Sequence, residues 1–447
     1  MKPHIDIQPA QISTTDHAAS PVEQRVFLLL QGPHGPFFDR LGALLRDAGA
    51  EVWRVGFNAG DRHFWSDPAN FIAHRGSPDD WPDHLERLIA GKRVTDIVLY
   101  GDVRPIHAAA RKAAQRHGLV LHVFEEGYLR PYWITYERGG ANGHSRLMQL
   151  GLRDMRQALR GQHGDLPRPP ASWGDMRQHK FYSVLYHFQV LARNSDFPGY
   201  RNHRNISGWR EFRLNLRRFL LSPYDALARM REARAVLRGG YPYVLVLMQL
   251  EHDASFQAHS DYPTMSVFTD EVLHAFAHSA PKHHHLVFKA HPLEDGRAGI
   301  REKVMAKAAE LGLQNRVHYV RGGKLAGLLA QARSAVTVNS TAAQQALWRG
   351  LPVKNTGRAV YEKHGLVSRQ SLDEFFDTPI RPNSRSYQTY RDYLLETSQV
   401  PGGFYAKRSR AHALRLVIDL ILNTEDPYDA LAKGGGQYRQ QMGDSAD

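Results

Sequence analysis

From residue 25 onward the chain alternates short apolar runs with segments whose apolar residues recur every three or four positions. Arg25–Leu30 has the length and pattern of a buried strand and ends in the loop Gln31-Gly32-Pro33-His34-Gly35-Pro36. Phe37–Ala48 follows with Phe38, Leu41, Leu44 and Leu45 at helical spacing, closed by Gly49. Glu51–Val55, Asp96–Tyr100 and Leu119–Phe124 read as further strands, with Ile106–His117 as the helix between the last two. Such alternation implies a parallel sheet with right-handed crossovers. Between Arg153 and Arg238 the pattern becomes helical, basic and aromatic. A second alternating unit opens at Tyr243–Leu250. Its strands are His285–Lys289, Val317–Val320 and Ala335–Val338, and its helices Glu271–His278, Gly299–Leu311, Lys324–Ala332 and Thr341–Arg349. A last amphipathic helix is expected at Ala411–Leu422.

The expected fold class is therefore α/β and GT-B-like: two Rossmann-like domains facing a central cleft, joined by a helical basic connector. The divisions are a disordered leader over 1–22, an N-terminal Rossmann-like domain over 23–150 and the connector over 151–238. A C-terminal nucleotide-sugar-binding domain over 239–400 and a terminal helix with a polar tail over 401–447 complete the chain.

Composition narrows the chemistry. No cysteine is present, which excludes thiol catalysis and a disulfide scaffold. No apolar run approaches the roughly 20 residues that span a bilayer. The net charge is +13, and the forty residues from Arg201 to Gly240 hold ten arginines against three acids, a balance of +7. A block of this kind suits a polyanion or an anionic membrane, or is simply a solvated face. Nucleic-acid modules, an Asp-x-Asp metal handle and a P-loop are all missing from the sequence. His283-His284-His285 precedes a strand, where successive side chains diverge, and so predicts no metal site.

Four loops at the carboxyl ends of expected strands carry candidate chemistry, because open parallel sheets bind ligands there. Lys289-Ala290-His291-Pro292 offers an imidazole and an ammonium. Asn339-Ser340-Thr341 precedes a helix, whose free N–H groups and dipole would favour a phosphate. Glu125-Glu126-Gly127 ends the strand LVLHVF, and strand alternation puts Glu126 on the face of Phe124 and Glu125 on the other. Asp102, Arg104 and His107 follow Tyr100 and add a carboxylate, a guanidinium and an imidazole.

Taken in order, QGPHGPFF, FNAGD, YGDVRPIH, FEEGYLRPYWITYERGGANGHS, QLEHDAS, FKAHPLEDG and TVNSTAAQQALWRGLPVKNTG resemble the capsule polysaccharide biosynthesis and export family typified by KpsS and LipB, from about residue 25 to about 370. The resemblance implies a retaining β-Kdo transferase at the cytoplasmic face of the inner membrane. It implies CMP-β-Kdo as donor substrate, a phosphatidylglycerol-type lipid as acceptor, no cofactor and no metal. Related KpsC-type proteins have Glu-Asp-Gly at the equivalent strand end, so Glu126 stands in place of Asp. Glu126 is the nucleophile this implies, with Glu125 the alternative. His291 would assist the departing CMP phosphate, with Lys289, Asn339, Ser340 and Thr341 binding it. Arg104 or Arg130 would hold the sugar carboxylate, and Asp102 or His107 would deprotonate the acceptor. Gln31, His34, Asn58, Asp61, Gln249 and Glu251 would contribute to substrate binding. Arg210, Arg213, Arg217 and Arg218 would face the membrane. Expected partners are the anionic inner-membrane surface with its lipid acceptor, a KpsC-like transferase and the capsule export machinery, with no nucleic acid among them. Two alternatives keep the fold but change the role: a non-catalytic assembly partner, or a transferase using another nucleotide sugar.

Overall fold

A computed structural model describes residues 22–160, 176–200 and 228–436, apart from positions 252, 293, 295 and 297. Arg210, Arg213, Arg217 and Arg218 lie outside the described residues. Among the described residues twelve strands form two sheets. In the first unit they are β1 (Val26–Leu29), β2 (Glu51–Gly56), β3 (Phe71–Ala73), β4 (Asp96–Tyr100), β5 (Val120–Glu126) and β6 (Trp133–Arg138). In the second they are β7 (Tyr243–Leu247), β8 (His285–Lys289), β9 (Val317–Val320), β10 (Ser334–Thr337) and β11 (Val353–Asn355), and β12 (Gln399–Pro401) follows.

The first sheet runs β12-β6-β5-β4-β1-β2-β3 and the second β11-β10-β7-β8-β9. Five strands of the first sheet, β3-β2-β1-β4-β5, are parallel neighbours, and all five of the second are parallel. In each unit the chain starts in the middle and reverses direction beside the first strand, between β1 and β4 and between β7 and β10. Those reversals are the topological switch points at which such sheets open a crevice. Both switch points are built from the loops picked out by sequence.

β1 is buried along its whole length, as expected of a parallel strand covered on both faces. Phe27 and Leu29 face one layer with the helix Phe37–Asp47, whereas Leu28 and Leu30 face the helices Trp81–Lys92 and Pro105–His117. The first layer is completed from the far end of the chain. β12 pairs antiparallel with β6, matching Val400 to Ile134, and Phe404, Ala413, Leu414, Val417 and Ile421 join the core of Phe27, Phe37 and Phe124. Residues 399–401 thus belong to the first sheet, although sequence pattern leaves 399 and 400 at the end of the second domain. A three-residue strand has no periodicity to read.

Of the connector, the helix Met176–Arg193 and the helical residues 228–238 are described, together with residues 151–160 and 194–200. The first lies against the helix Ala59–His63. Gly60 makes that approach possible, because a Cβ there would sit 2.6 Å from the Tyr186 ring. Ala233 and Val236 of residues 228–238 and Met155 pack into a core shared by Tyr128 and Leu147 of the first unit and Leu245, Tyr390 and Leu394 of the second.

At the amino-terminal edge of the first sheet a buried ionic group sets a stability limit. Asp96 accepts hydrogen bonds from Arg25, Thr95 and His122, the last at 2.8 Å. Burial alone would raise its carboxyl, but the hydrogen bonds and charges of His122 and Arg25 hold it well below the usual carboxylate range. Burial lowers the His122 imidazole to about 4, so the ring is neutral at pH 7, donating from Nε2 to Asp96 and accepting at Nδ1 from Tyr136. Between about pH 6.5 and 4 the unfolded chain binds a proton at His122 that the folded one refuses, so stability falls as pH falls through that window. The Asp96 contribution is lost at still lower pH. Urea titrations at pH 7, 5.5 and 4.5 should show this decline. Asp96→Asn should cost about 3–5 kcal/mol at pH 7, because it leaves the Arg25 charge buried without its partner.

Candidate active site at the facing strand ends

The loop that follows β1, the helix Ala59–His63 and the connector helix meet at the Tyr186 hydroxyl. Asn58 caps the helix Ala59–His63 by accepting from Asp61 N at 3.0 Å, and its Nδ2 donates to the Tyr186 hydroxyl at 2.7 Å. Gln31 donates to the same hydroxyl at 2.9 Å and to Asp61, and Tyr186 donates to Asp61 at 3.1 Å. His34 stacks on the Tyr186 ring at 4.1 Å. Burial pushes the Asp61 carboxyl up, and Arg54, 3.7 Å away, opposes it. Asn58 and Asp61 are buried with their bonds directed at protein groups, so they support the wall of the cleft and offer no open substrate contact. Gln31 Oε1 also accepts from Arg104 at 3.1 Å, which ties this wall to the loop after β4.

The two glutamates ending β5 part to opposite faces, as strand alternation requires. Glu125 lies beside Gly101, whose Cβ would come within 3.2 Å of its Oε2. Burial raises its carboxyl to about 7. The Glu126 N–H, donating at 3.0 Å, counters this, and the nearby Glu126 charge adds to it. Glu126, on the Phe124 face, accepts from Tyr100 at 3.1 Å and Tyr405 at 3.2 Å, both on Oε1. Burial and the Glu126 charge push both tyrosine hydroxyls up, so they remain donors at neutral pH. His179 of the connector helix stacks on Tyr405 at 4.2 Å. Gly127 then turns the chain where a Cβ would meet Trp133 O at 2.3 Å. Arg130 does not pair with either glutamate; its Nε donates to Gly127 O at 3.1 Å.

Asp102 and His107 differ from expectation. Both are fully buried: the Asp102 carboxylate accepts from Ala141 N at 3.1 Å and His144 Nδ1 at 2.9 Å, and His107 Nδ1 donates to Gly101 O at 2.6 Å. Burial lowers the His107 imidazole to about 3. With no exposed surface, neither presents an atom to an acceptor hydroxyl. Asp102 instead reaches the second unit through His144, whose ring lies edge-on to His259 at 5.0 Å.

In the second unit Gln249 and Asn339 clamp the switch point. Gln249 Nε2 donates to Asn339 Oδ1 at 2.8 Å, Asn339 N donates back to Gln249 Oε1 at 3.1 Å, and Asn339 Nδ2 donates to Ser255 O and His259 O. Their amides are used within the protein, so the pair shapes the pocket without offering those groups to a ligand. The helix expected from Thr341 starts at Ala343. The amides of residues 342–344 already donate to Ser340 Oγ, Ser340 O and Thr341 O. A tight turn has thus taken the N–H groups that sequence assigned to a phosphate, leaving the half-buried Ser340 and Thr341 hydroxyls as the polar groups there. Lys289 is buried and donates to Ala290 O at 2.9 Å. Burial and Arg229 lower its ammonium, and Glu232 opposes them. Burial also lowers the His291 imidazole, with Asp253 raising it and Arg130 of the first unit and Lys289 lowering it. Arg130, beyond the end of β5, and His291, beyond the end of β8, are thus near enough for the charge of the one to bear on the other. Glu251 sits half-buried beyond β7, its carbonyl accepting from Gln257.

Two Rossmann-like units with strand ends opposed across a crevice define a GT-B-like protein. The sequence profile described as capsule polysaccharide biosynthesis protein matches residues 95–405, and the chain belongs to that family. It is 32% identical over 387 residues to the capsule polysaccharide export protein KpsS of Escherichia coli, covering 85% of this chain and 96% of that one. It is 30% identical over 383 residues to the capsule polysaccharide modification protein LipB of Neisseria meningitidis serogroup B, covering 85% and 91%. Among solved structures, KpsC of Thermosulfurimonas dismutans, a beta Kdo 2,7 transferase, aligns at 11% identity over 89% of this chain and 100% of that one, with a TM-score of 0.42. The Staphylococcus aureus MnaA–UDP co-structure aligns at 11% identity over 90% and 99%, with a TM-score of 0.31. Among the described residues no helix is long and apolar enough to cross a membrane.

Glu125 and Glu137, the latter buried among Tyr128, Ser145 and Tyr428, are both raised to about 7 by burial. Two carboxyls should therefore stay protonated until near neutral pH, visible as carbonyl stretching bands in infrared spectra taken from pH 5 to 8. Glu125→Gln should remove one band and Glu137→Gln the other.

Proposed function

We propose that the chain is a retaining glycosyltransferase of capsule assembly, moving Kdo from CMP-β-Kdo to a phosphatidylglycerol-type lipid and so starting the capsule linker. The observation that carries this reading is Glu126, a half-buried carboxylate whose Oε1 is held by two tyrosine donors. Retention by double displacement needs an ionised carboxylate with one oxygen directed at the anomeric carbon. Anchoring through Oε1 suits Oε2 for that role. Glu125, raised to about 7, is partly protonated at neutral pH and is the poorer nucleophile.

In the first step Glu126 attacks the anomeric carbon as its bond to the phosphate oxygen breaks, and CMP leaves with the bonding electrons. An acceptor hydroxyl then displaces the carboxylate and gives up its proton, which restores Glu126. His291, held largely neutral by burial, donates an N–H to the departing phosphate, with the Ser340 and Thr341 hydroxyls beside it. Arg104 and Arg130, at the rim beyond β4 and β5, are the candidates for the sugar carboxylate. No cofactor or metal enters this scheme. The family membership supports the capsule role, and the arginines of 201–227 support a peripheral position on an anionic inner membrane, where a KpsC-like transferase and the export machinery would receive the product.

Purified protein should transfer Kdo from CMP-Kdo to a lipid acceptor in the presence of EDTA. Glu126→Gln should abolish transfer with CMP binding nearly intact, and peptide mass spectrometry of the wild type should find Kdo attached to Glu126. His291→Ala should lose about 2–4 kcal/mol of transition-state stabilisation. An adduct on another residue would reject the nucleophile assignment. Turnover only with CMP-sialic acid or a UDP-sugar would reject the donor, and none with any of them would leave a non-catalytic assembly partner.

A further inference from the structure

The helix Met176–Arg193 has two faces that carry large apolar or aromatic side chains, and among the described residues only one of them has a partner. Tyr186 and Gln189 are buried against the first unit, and Tyr182 packs beside Gly35. On the opposite side Phe181, Val184, Phe188 and Leu191 are exposed at 62%, 71%, 56% and 63%. Their spacing of three, four and three residues sets them in one stripe along the helix. Among the described residues they are half of the strongly exposed large hydrophobics; Met230, Val267, Trp348 and Ile380 are scattered singly elsewhere. An isolated exposed side chain is ordinary, whereas a row of four on one helix face marks an interaction surface.

The charge of the helix selects the partner. Its eighteen residues include Arg177, Lys180 and Arg193, with His179 and His187, and not one aspartate or glutamate. Arg177, Lys180 and His187 are exposed on the side of the stripe, and Arg193 is exposed at the end of the helix. A coiled-coil or protein partner would be matched by mixed charges flanking the apolar row, as at coiled-coil e and g positions. A Phe/Leu row bordered only by cations fits the boundary between anionic headgroups and acyl chains, into which such a face sinks about 5–10 Å.

We propose that the exposed face of the helix Met176–Arg193 docks onto an anionic lipid bilayer. The buried face gives the docking a direction. His179 stacks on Tyr405, which donates to Glu126, and Tyr186 holds Gln31, Asn58 and Asp61. One helix thus touches the bilayer on its outer side and the wall of the glutamate pocket on its inner side, and it seats the mouth of that pocket at headgroup level. The docking itself does not depend on which sugar donor the cleft takes.

The absence of cysteine allows clean single-site labelling. Val184→Cys and Phe188→Cys would each carry an environment-sensitive fluorophore, with Trp348→Cys, 66% exposed on the second unit, as the control position. On vesicles containing phosphatidylglycerol, labels at 184 and 188 should shift to the blue and be quenched by acyl-chain quenchers, and the label at 348 should do neither. Phosphatidylcholine vesicles should give no shift at any position. Changing Phe181, Val184, Phe188 and Leu191 together to serine should lower vesicle partitioning about tenfold or more, with the thermal midpoint unchanged. Labels at 184 and 188 that are already shielded without vesicles would overturn the proposal. Shielding that grows with protein concentration would assign the face to a second copy, and concentration-independent shielding to another segment of this chain. Equal response at 184 and 348, or no response to anionic vesicles, would overturn it as well. No donor is present in this assay, so its outcome is separate from that of the transfer reaction.

Discussion

A carboxylate taken out of water must be met by donors, and the first unit ends its sheet in a set of buried or half-buried carboxylates. Each accepts at least one hydrogen bond from a segment distant in sequence. Asp61 is held by Tyr186 of the connector, Asp102 by His144 beyond β6, and Glu126 by Tyr405 near the end of the chain. Glu137 draws in Tyr428 in the same way. The requirement to hydrogen-bond these acids explains why the connector helix, the loop after β6 and the C-terminal segment converge where they do. Apolar packing alone would tolerate many arrangements, but a buried acid accepts few.

The same requirement separates the two glutamates chemically. They are adjacent in sequence and share a strand end, yet one is anchored by two hydroxyls and the other is raised by burial beside a like charge. Their surroundings differ: burial pushes the Glu125 carboxyl up to about 7, whereas Glu126 has Oε1 held by two tyrosine hydroxyls. Across the cleft the second unit answers with an imidazole and two hydroxyls. Positive charge comes from Arg104 and Arg130 on the first unit and from Lys289 beside His291 on the second.

Much of this was legible in the sequence. Strands such as Asp96–Tyr100, His285–Lys289 and Val317–Val320 stand where apolar runs put them, because fully buried parallel strands write continuous apolar sequence. β3, β11 and β12 were hidden because three residues carry no period, and β6 because its polar Thr135 and Glu137 are buried facing other polar groups. In the site, the loops were legible by type and position, since strand ends and helix starts are marked locally. Their pairings were not. Nothing in Tyr405, Tyr186 or His259 as isolated residues signals a partner hundreds of positions or a domain away. At the Asn339-Ser340-Thr341 turn the use of the N–H groups of residues 342–344 was hidden for a related reason: a helix start can offer them to a phosphate or to its own turn equally well, and only geometry tells which.

The return of β12 and the helix Lys407–Leu422 to the first unit makes that unit discontinuous. A chain emerging from the ribosome exposes Phe27, Phe37 and Phe124 long before Phe404, Val417 and Ile421 are made to cover them. β6 likewise waits as an open sheet edge until β12 arrives. The amino-terminal unit, first to be synthesised, is therefore among the last to be finished, and a nascent chain halted near residue 400 would carry a nearly complete second domain beside an unclosed first one.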